Sequence, residues 1–166
     1  EWSFGLRPED SDFTQPRMLF EFTRLSGTIP GSLLSQCSEG RGWSFGHSQF
    51  SGTLPTELSS LTGLQKLQFL STSVSGTLPQ VLSTFTALAQ LRFGDDEGVG
   101  SPGVSGTLPH EIASLPNLWW LTTCGSPISG VLPSQLSRLT SLRTLRAGRC
   151  RFSGTLPQDL WRLPTL

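Results

Sequence analysis

SGTLPTELSSLTGLQKLQF, residues 51–69, contains every feature of a unit that the chain repeats. Its opening pentapeptide occurs six times, as SGTIP at 26–30, SGVLP at 129–133, and SGTLP at 51–55, 75–79, 105–109 and 153–157. Successive copies begin 25, 24, 30, 24 and 24 residues apart. A nearly constant period of this length is typical of solenoid proteins, whose units bury their apolar faces only by stacking on one another. The period therefore predicts about six stacked units.

Two apolar spacings alternate within this stretch. Leu58, Leu61 and Leu64 recur every third residue, as in a 3₁₀ or helical turn. Leu67 and Phe69 alternate at two, as in a short strand. The glycine of the pentapeptide suits a tight bend, and its proline cannot donate a hydrogen bond within a ladder. Each unit is thus predicted to contain a strand, a turn and a helical turn.

The pattern LxxLxF followed by SGTLPxxLxxLxxL resembles leucine-rich repeats of the plant-specific type, and also repeats in some protist surface antigens. It covers nearly the whole chain, from about Met18 to Leu166. The resemblance implies an α/β solenoid, a right-handed superhelix with a concave parallel β-sheet, short 3₁₀ or helical turns on the convex side and about six repeats. We expect residues 1–166 to form a single domain, with a loop insertion at 94–103, and to be a segment of a longer chain.

The polar column that follows each strand departs from this pattern. The family usually has Asn there, whereas this chain has hydroxyl side chains and one thiol: Thr23, Ser48, Thr72, Ser126 and Cys150. Hydroxyls are expected to bond the same backbone groups less completely, and Cys150 to pack as a small apolar side chain. An irregular loop is expected at 37–42, where Cys37 is the candidate reactive thiol. Pairing of Cys124 with Cys150 is left open.

Composition excludes several classes of function. The net charge is zero and 14% of the residues are charged, so a nucleic-acid partner is not expected. No apolar run approaches the roughly 20 residues of a membrane-spanning helix. No nucleophile–base set or phosphate-binding loop converges in the repeat alignment, so we expect no enzyme activity and no cofactor or metal. A secreted, cell-surface or organelle-lumen location is favoured over the cytoplasm.

The candidate binding residues flank the buried leucine columns of the predicted concave strands. They are Lys66, Gln68, Arg92, Trp120, Thr122 and Arg146. Trp and Arg are enriched among interface hot spots. The alternative is that Trp120 packs against Arg92 or Arg146 on a solvated surface. In the insertion, Asp95, Asp96 and Glu97 could hold a hard cation or could simply be solvated.

The predicted function is a non-catalytic protein–protein interaction or scaffold module, part of a receptor-like protein or a larger assembly. Its expected partner is another protein. One alternative is an ice- or carbohydrate-binding surface, because the pentapeptide threonines form a column at Thr28, Thr53, Thr77, Thr107 and Thr155. Turn chemistry accounts for the same residues more simply. A passive structural spacer is the other alternative.

Overall fold

The structure, a computed structural model, describes residues 17–36, 39–78, 80–94 and 103–164. Within them, twelve strands alternate between two sides of the repeat: β1 Arg17–Leu19, β2 Ser26–Thr28, β3 Gly42–Ser44, β4 Gln49–Thr53, β5 Lys66–Phe69, β6 Ser73–Ser75, β7 Gln90–Phe93, β8 Gly106–Thr107, β9 Trp120–Thr122, β10 Ile128–Gly130, β11 Thr144–Arg146 and β12 Arg151–Phe152. The helical segments are α1 Gly31–Gln36 and the 3₁₀ helices Thr56–Ser60, Gln80–Thr84, His110–Ser114, Ser134–Arg138 and Gln158–Arg162.

The odd-numbered strands form one parallel sheet in the order β1-β3-β5-β7-β9-β11. Each of its pairings is parallel and joins one repeat to the next. The even-numbered strands form two further three-stranded sheets, β2-β4-β6 and β8-β10-β12. Six strands in sequence order, each followed by a helical turn, confirm the predicted solenoid of six units.

A column of stacked aromatic rings supports the first four units. The ring centroids of Phe20, Phe45, Phe69 and Phe93 lie 5.6, 5.3 and 5.9 Å apart, with interplanar angles of 16°, 3° and 2°. Stacked rings at this separation add to the free energy of burying apolar area. Thr123 follows Phe93 in this column and is itself buried. The aromatic stack therefore ends at the fourth unit and a smaller core continues beyond it.

The pentapeptide joins each unit to the one before it. A Cβ built on Gly106 would lie 2.7 Å from Thr77 Cγ2, so the threonine methyl occupies the space that the glycine leaves open. Gly106 also has a φ of +87°, a region that L side chains rarely adopt. The N–H of Ser105 donates to the carbonyl of Gly76 at 2.8 Å. The threonine methyl thus packs on the glycine of the next copy, and the serine N–H joins the two copies by a hydrogen bond.

The pentapeptide copies are staggered rather than aligned. Thr28 pairs with Ser51, Thr53 pairs with Ser75, and Thr77 bridges Ser105. An alignment of the copies in sequence would place serine opposite serine. In the structure each threonine lies opposite the serine of the next copy, so neighbouring copies are offset by two residues. The offset brings each threonine beside the glycine of the next copy.

Proline begins the convex turns. Pro55 precedes the helix Thr56–Ser60, and its carbonyl accepts from the N–H of Leu58 at 3.2 Å. Pro55 is the N-cap residue, with a φ of −71° and a ψ of 145°, so the fixed φ of proline suits the extended backbone just before the turn. The predicted 3₁₀ or helical turns are confirmed: the first unit has the α-helix Gly31–Gln36, and the later units have 3₁₀ helices. The end predicted for the loop at 37–42 is wrong by one residue, because Gly42 already belongs to β3. Cys37 lies outside the described residues.

Hydroxyl groups replace the asparagine ladder only in part, as predicted. Ser48 Oγ donates to the Phe45 carbonyl at 2.9 Å, and Ser126 Oγ donates to the Thr123 carbonyl at 2.6 Å. Cys150 was expected to pack as an apolar side chain, but its Sγ lies 2.8 Å from the same Thr123 carbonyl. It therefore acts as a hydrogen-bonding ladder residue, and both Cys124 and Cys150 are free thiols.

Candidate functional site

Two rows of side chains cross the six-stranded sheet, and we call them together the concave surface. Strand register defines the first row as Arg17, Gly42, Lys66, Gln90, Trp120 and Thr144, and the second as Leu19, Ser44, Gln68, Arg92, Thr122 and Arg146. Members of the two rows are two residues apart, so they share one face of the sheet. The structure therefore places all six candidate residues on the same face.

The six candidates differ in how far they reach into solvent. Arg146 is exposed, and Lys66 and Arg92 are half-buried. In contrast, Gln68, Trp120 and Thr122 have only 2%, 6% and 0% of their surface exposed. These three form the floor of the concave surface, and a direct contact between them and a partner remains a prediction. The three cationic side chains are the accessible part of the set.

Arg92 and Trp120 form a stacked pair on neighbouring strands. The Arg92 guanidinium carbon lies 4.9 Å from the centroid of the Trp120 ring. Trp120 Nε1 donates to Thr122 Oγ1 at 2.7 Å, which fixes the orientation of the indole. Trp119 packs against Trp120 with centroids 5.4 Å apart and the rings tilted by 58°. The Trp120–Arg92 contact named in the alternative interpretation is observed, but with Trp120 buried rather than solvated, and binding of a partner by this pair stays a prediction.

A polar group that the sequence did not single out lies at the other end of the floor. Ser44 is fully buried, and its Oγ donates to a carboxylate oxygen of Glu21. The same hydroxyl lies 3.4 Å from Gln68 Oε1. Gln68 Nε2 is buried and has no hydrogen-bond partner among the residues that the structure describes. A buried donor without an acceptor costs about 1–3 kcal/mol, so an acceptor supplied by a partner would stabilise this side chain.

The pentapeptide threonines form an exposed column on another side of the solenoid, as the alternative interpretation requires. Their methyl groups are nevertheless engaged, since Thr28, Thr77 and Thr107 each approach the glycine of the next copy. Val131 replaces threonine in one unit and keeps the same contact through Cγ1. Packing therefore gives the column a structural reason, and the ice- and carbohydrate-binding interpretations remain predictions.

The acidic residues of the insertion were the candidates for binding a cation. Asp95, Asp96 and Glu97 lie outside the described residues. Among the residues that are described, no group of three or more His, Cys, Asp or Glu side chains could hold a metal ion. Within that same part of the chain, no helix is long and apolar enough to cross a membrane.

Comparisons with known proteins agree on the fold. The family model for "Leucine Rich Repeat" matches residues 141–163. The ectodomain of the Arabidopsis thaliana membrane receptor kinase GASSHO1/SCHENGEN3, solved in complex with CASPARIAN STRIP INTEGRITY FACTOR 2, is 28% identical with a TM-score of 0.77; the match covers 86% of this chain and 16% of that one. The plant peptide hormone receptor RGFR1, solved with RGF2, is 24% identical with a TM-score of 0.81, covering 91% and 23%.

A third structure, a plant ice-binding protein, is 21% identical with a TM-score of 0.73, covering 88% of this chain and 46% of that one. The last two likenesses are of fold alone. The chain spans less than a quarter of the length of either receptor chain that it matches. No curated protein gave a significant sequence match.

Proposed function

Because the chain is a leucine-rich-repeat protein with units of the plant-specific type, we propose that it is a non-catalytic protein-binding module. Its concave surface receives the partner. The observation that carries the proposal is the Arg92–Trp120 pair on β7 and β9, the fourth and fifth of the six strands, with Arg92 half-buried and Trp120 buried beneath it. An arginine held over a tryptophan combines two of the three residue types enriched at interface hot spots.

Preorganisation favours this pair as an anchor. A partner that contacts a free arginine must restrict its rotamers, at a cost of about 0.5–1.5 kcal/mol for a long side chain. The indole ring already restricts Arg92, and the Trp120–Thr122 hydrogen bond restricts the indole. Arg92 therefore loses less entropy on binding than an exposed arginine such as Arg138 would lose.

The solved neighbours support a role in recognition. One is a receptor-kinase ectodomain in complex with a named integrity factor, and another is a peptide hormone receptor in complex with its ligand. By analogy, this chain would serve as a recognition segment of a receptor-like protein or of a larger assembly. The analogy rests on fold, whereas the site rests on the residues of this chain.

The test is affinity capture with three baits. Two of them are variants that each reverse two positive charges. The first is the wild-type domain, and the second carries Lys66→Glu and Arg146→Glu on the concave surface. The third, a matched control, carries Arg138→Glu on a convex turn and Arg151→Glu on β12, both exposed. We expect a partner that the wild type and the control retain and the concave variant loses. A partner retained equally by all three baits would refute the concave site.

A further inference from the structure

The start of the chain repeats a sequence that the structure shows at work in the concave sheet. Residues 2–5 read WSFG, as do residues 43–46, and residues 1–16 lie outside the described residues. β1 is the first strand of the sheet and pairs with β3, its single neighbour among the described strands. We propose that residues 1–4 dock along the outer edge of β1 as an additional parallel strand. The concave surface would then begin one strand earlier, with a segment of the same chain at its edge.

The junction between β3 and β5 is a template for this docking. Residues 42–45, GWSF, lie in register beside residues 66–69, KLQF. The rings of Phe45 and Phe69, which end these two stretches, stack 5.3 Å apart with an interplanar angle of 3°. At the proposed junction, EWSF at the start of the chain would lie beside RMLF, residues 17–20. Both junctions therefore combine the same three residues, WSF, with a basic residue, an apolar residue and a final phenylalanine at matching positions.

Burial along β1 differs from burial along β5 in the way that the template predicts. Leu19 is 57% exposed, whereas its equivalent on β5, Gln68, is 2% exposed. Phe20 is half-buried, whereas its equivalent Phe69 is 2% exposed. The difference between the two strands is that β5 has a described strand on both sides. A further strand beside β1 would remove this apolar surface from water, which is favourable.

The backbone of β1 also has hydrogen-bonding groups that a further strand would use. The N–H of Phe20 donates to a carbonyl of β3 at 2.8 Å. A strand directs the backbone groups of alternate residues to opposite sides, so the N–H and the carbonyl of Leu19 point away from β3. At the template junction the corresponding carbonyl, that of Gln68, accepts from the N–H of Phe45 at 3.0 Å. The equivalent donor to Leu19 would be the N–H of Phe4.

Residues 5–16 are long enough to connect the docked strand to β1. Parallel strands need a connection of about a dozen residues, and a segment of that length reaches about 40 Å when it is fully extended. The template junction uses residues 46–65, which include β4 and a 3₁₀ helix. The shorter connection would cross the core without forming another complete unit.

Disulfide trapping in the full-length chain tests the docking. The three native cysteines are replaced by serine, and Ser3→Cys is combined with Leu19→Cys. The template places this pair in register, and its counterparts on β3 and β5 have side-chain oxygens 3.4 Å apart. Strands about 4.8 Å apart bring Cα atoms within the range that a disulfide needs. Oxidised glutathione accepts the two electrons when the disulfide forms.

The matched control combines Ser11→Cys with Leu19→Cys in the same background. Ser11 lies in the connecting segment and is nearer to Leu19 along the chain, so without docking it should react at least as fast. We expect the Ser3→Cys variant to form an intramolecular disulfide at least about tenfold faster than this control. Leu19 is exposed, and circular dichroism establishes that each variant is folded.

A second measurement addresses the aromatic contact in the chain with its native cysteines. Phe4→Ala should lower the urea midpoint of unfolding, because the Phe4 ring would extend the stacked column beyond Phe20. Phe13→Ala, in the connecting segment, is the matched control and should lower the midpoint less. An unchanged midpoint in Phe4→Ala would overturn the template.

The trapping experiment has two results that would overturn the docking. Equal rates of disulfide formation in the two double variants would show that residues 1–4 do not lie along β1. A disulfide that joins two chains, detected as a covalent dimer, would show that a second copy occupies this edge. Both results leave the proposed function intact, because that proposal rests on residues of β7 and β9.

Discussion

The contact between each threonine and the glycine of the next pentapeptide predicts a large and specific effect of Gly106→Ala. Gly106 has a φ of +87°, where an L residue is destabilised by roughly 1–2 kcal/mol. The new Cβ would also lie 2.7 Å from Thr77 Cγ2, and such overpacking costs typically about 1–3 kcal/mol. We therefore expect the free energy of unfolding to fall by about 2–5 kcal/mol.

Substitutions at two other glycines separate the cost of the positive φ from the cost of overpacking. Gly27 has a φ of +99°, but no described atom lies within 4 Å of a Cβ built on it, so Gly27→Ala should cost only the backbone part, about 1–2 kcal/mol. Gly63 has neither feature, and Gly63→Ala should be neutral or stabilising by about 0.4–1 kcal/mol. Adding Thr77→Ser, which removes Cγ2, should recover part of the loss in Gly106→Ala but none in Gly27→Ala.

Urea unfolding followed by circular dichroism measures each difference, with the m-value checked for constancy. The order of destabilisation should be Gly106→Ala, then Gly27→Ala, then Gly63→Ala. Gly106→Ala and Gly27→Ala could destabilise equally, or Thr77→Ser could fail to couple with Gly106→Ala. Either result would show that the threonine methyl does not pack closely on the glycine of the next pentapeptide.

Three further substitutions test other parts of the fold by the same urea assay. Phe69→Ala removes a buried ring stacked on both sides and should cost about 3–5 kcal/mol, so a loss below 1 kcal/mol would contradict the aromatic column. Cys150→Ala should cost about 1 kcal/mol because it removes the Sγ hydrogen bond to the Thr123 carbonyl, which keeps its bond from Ser126 Oγ, whereas Cys150→Ser should restore most of that loss. Val131→Thr should stay within about 0.5 kcal/mol of the wild type, since the branched side chain keeps its contact with Gly154; a larger loss would show that the column tolerates valine for another reason.

The repeat of the sequence was sufficient to predict the register of the concave sheet. Aligning the pentapeptides placed Gln68 beside Arg92 and Trp120 beside Thr144, and both pairs are observed. This succeeded because the next concave strand begins 15 residues after the start of the preceding pentapeptide in four units, and 16 residues after it in the first. A one-residue error would have moved every leucine out of the core.

Exposure and stagger could not be read from that alignment. Gln68 and Thr122 belong to the same row as Arg146, yet they are buried and Arg146 is exposed. Burial on a sheet face depends on the length of the side chains on adjacent strands, which a row assignment does not give. The offset pairing of Thr28 with Ser51 depends on the path of the chain between sheets, which spacing in sequence also does not give.

Photo-crosslinking tests most directly whether the concave surface receives the partner. A photoreactive phenylalanine analogue is placed at Thr144, half-buried in the first row, or at Arg138, exposed on a convex turn, and each protein is irradiated with the captured partner. The account predicts crosslinks from position 144 and background levels from position 138. Crosslinks from position 138 at an equal or greater yield would contradict it.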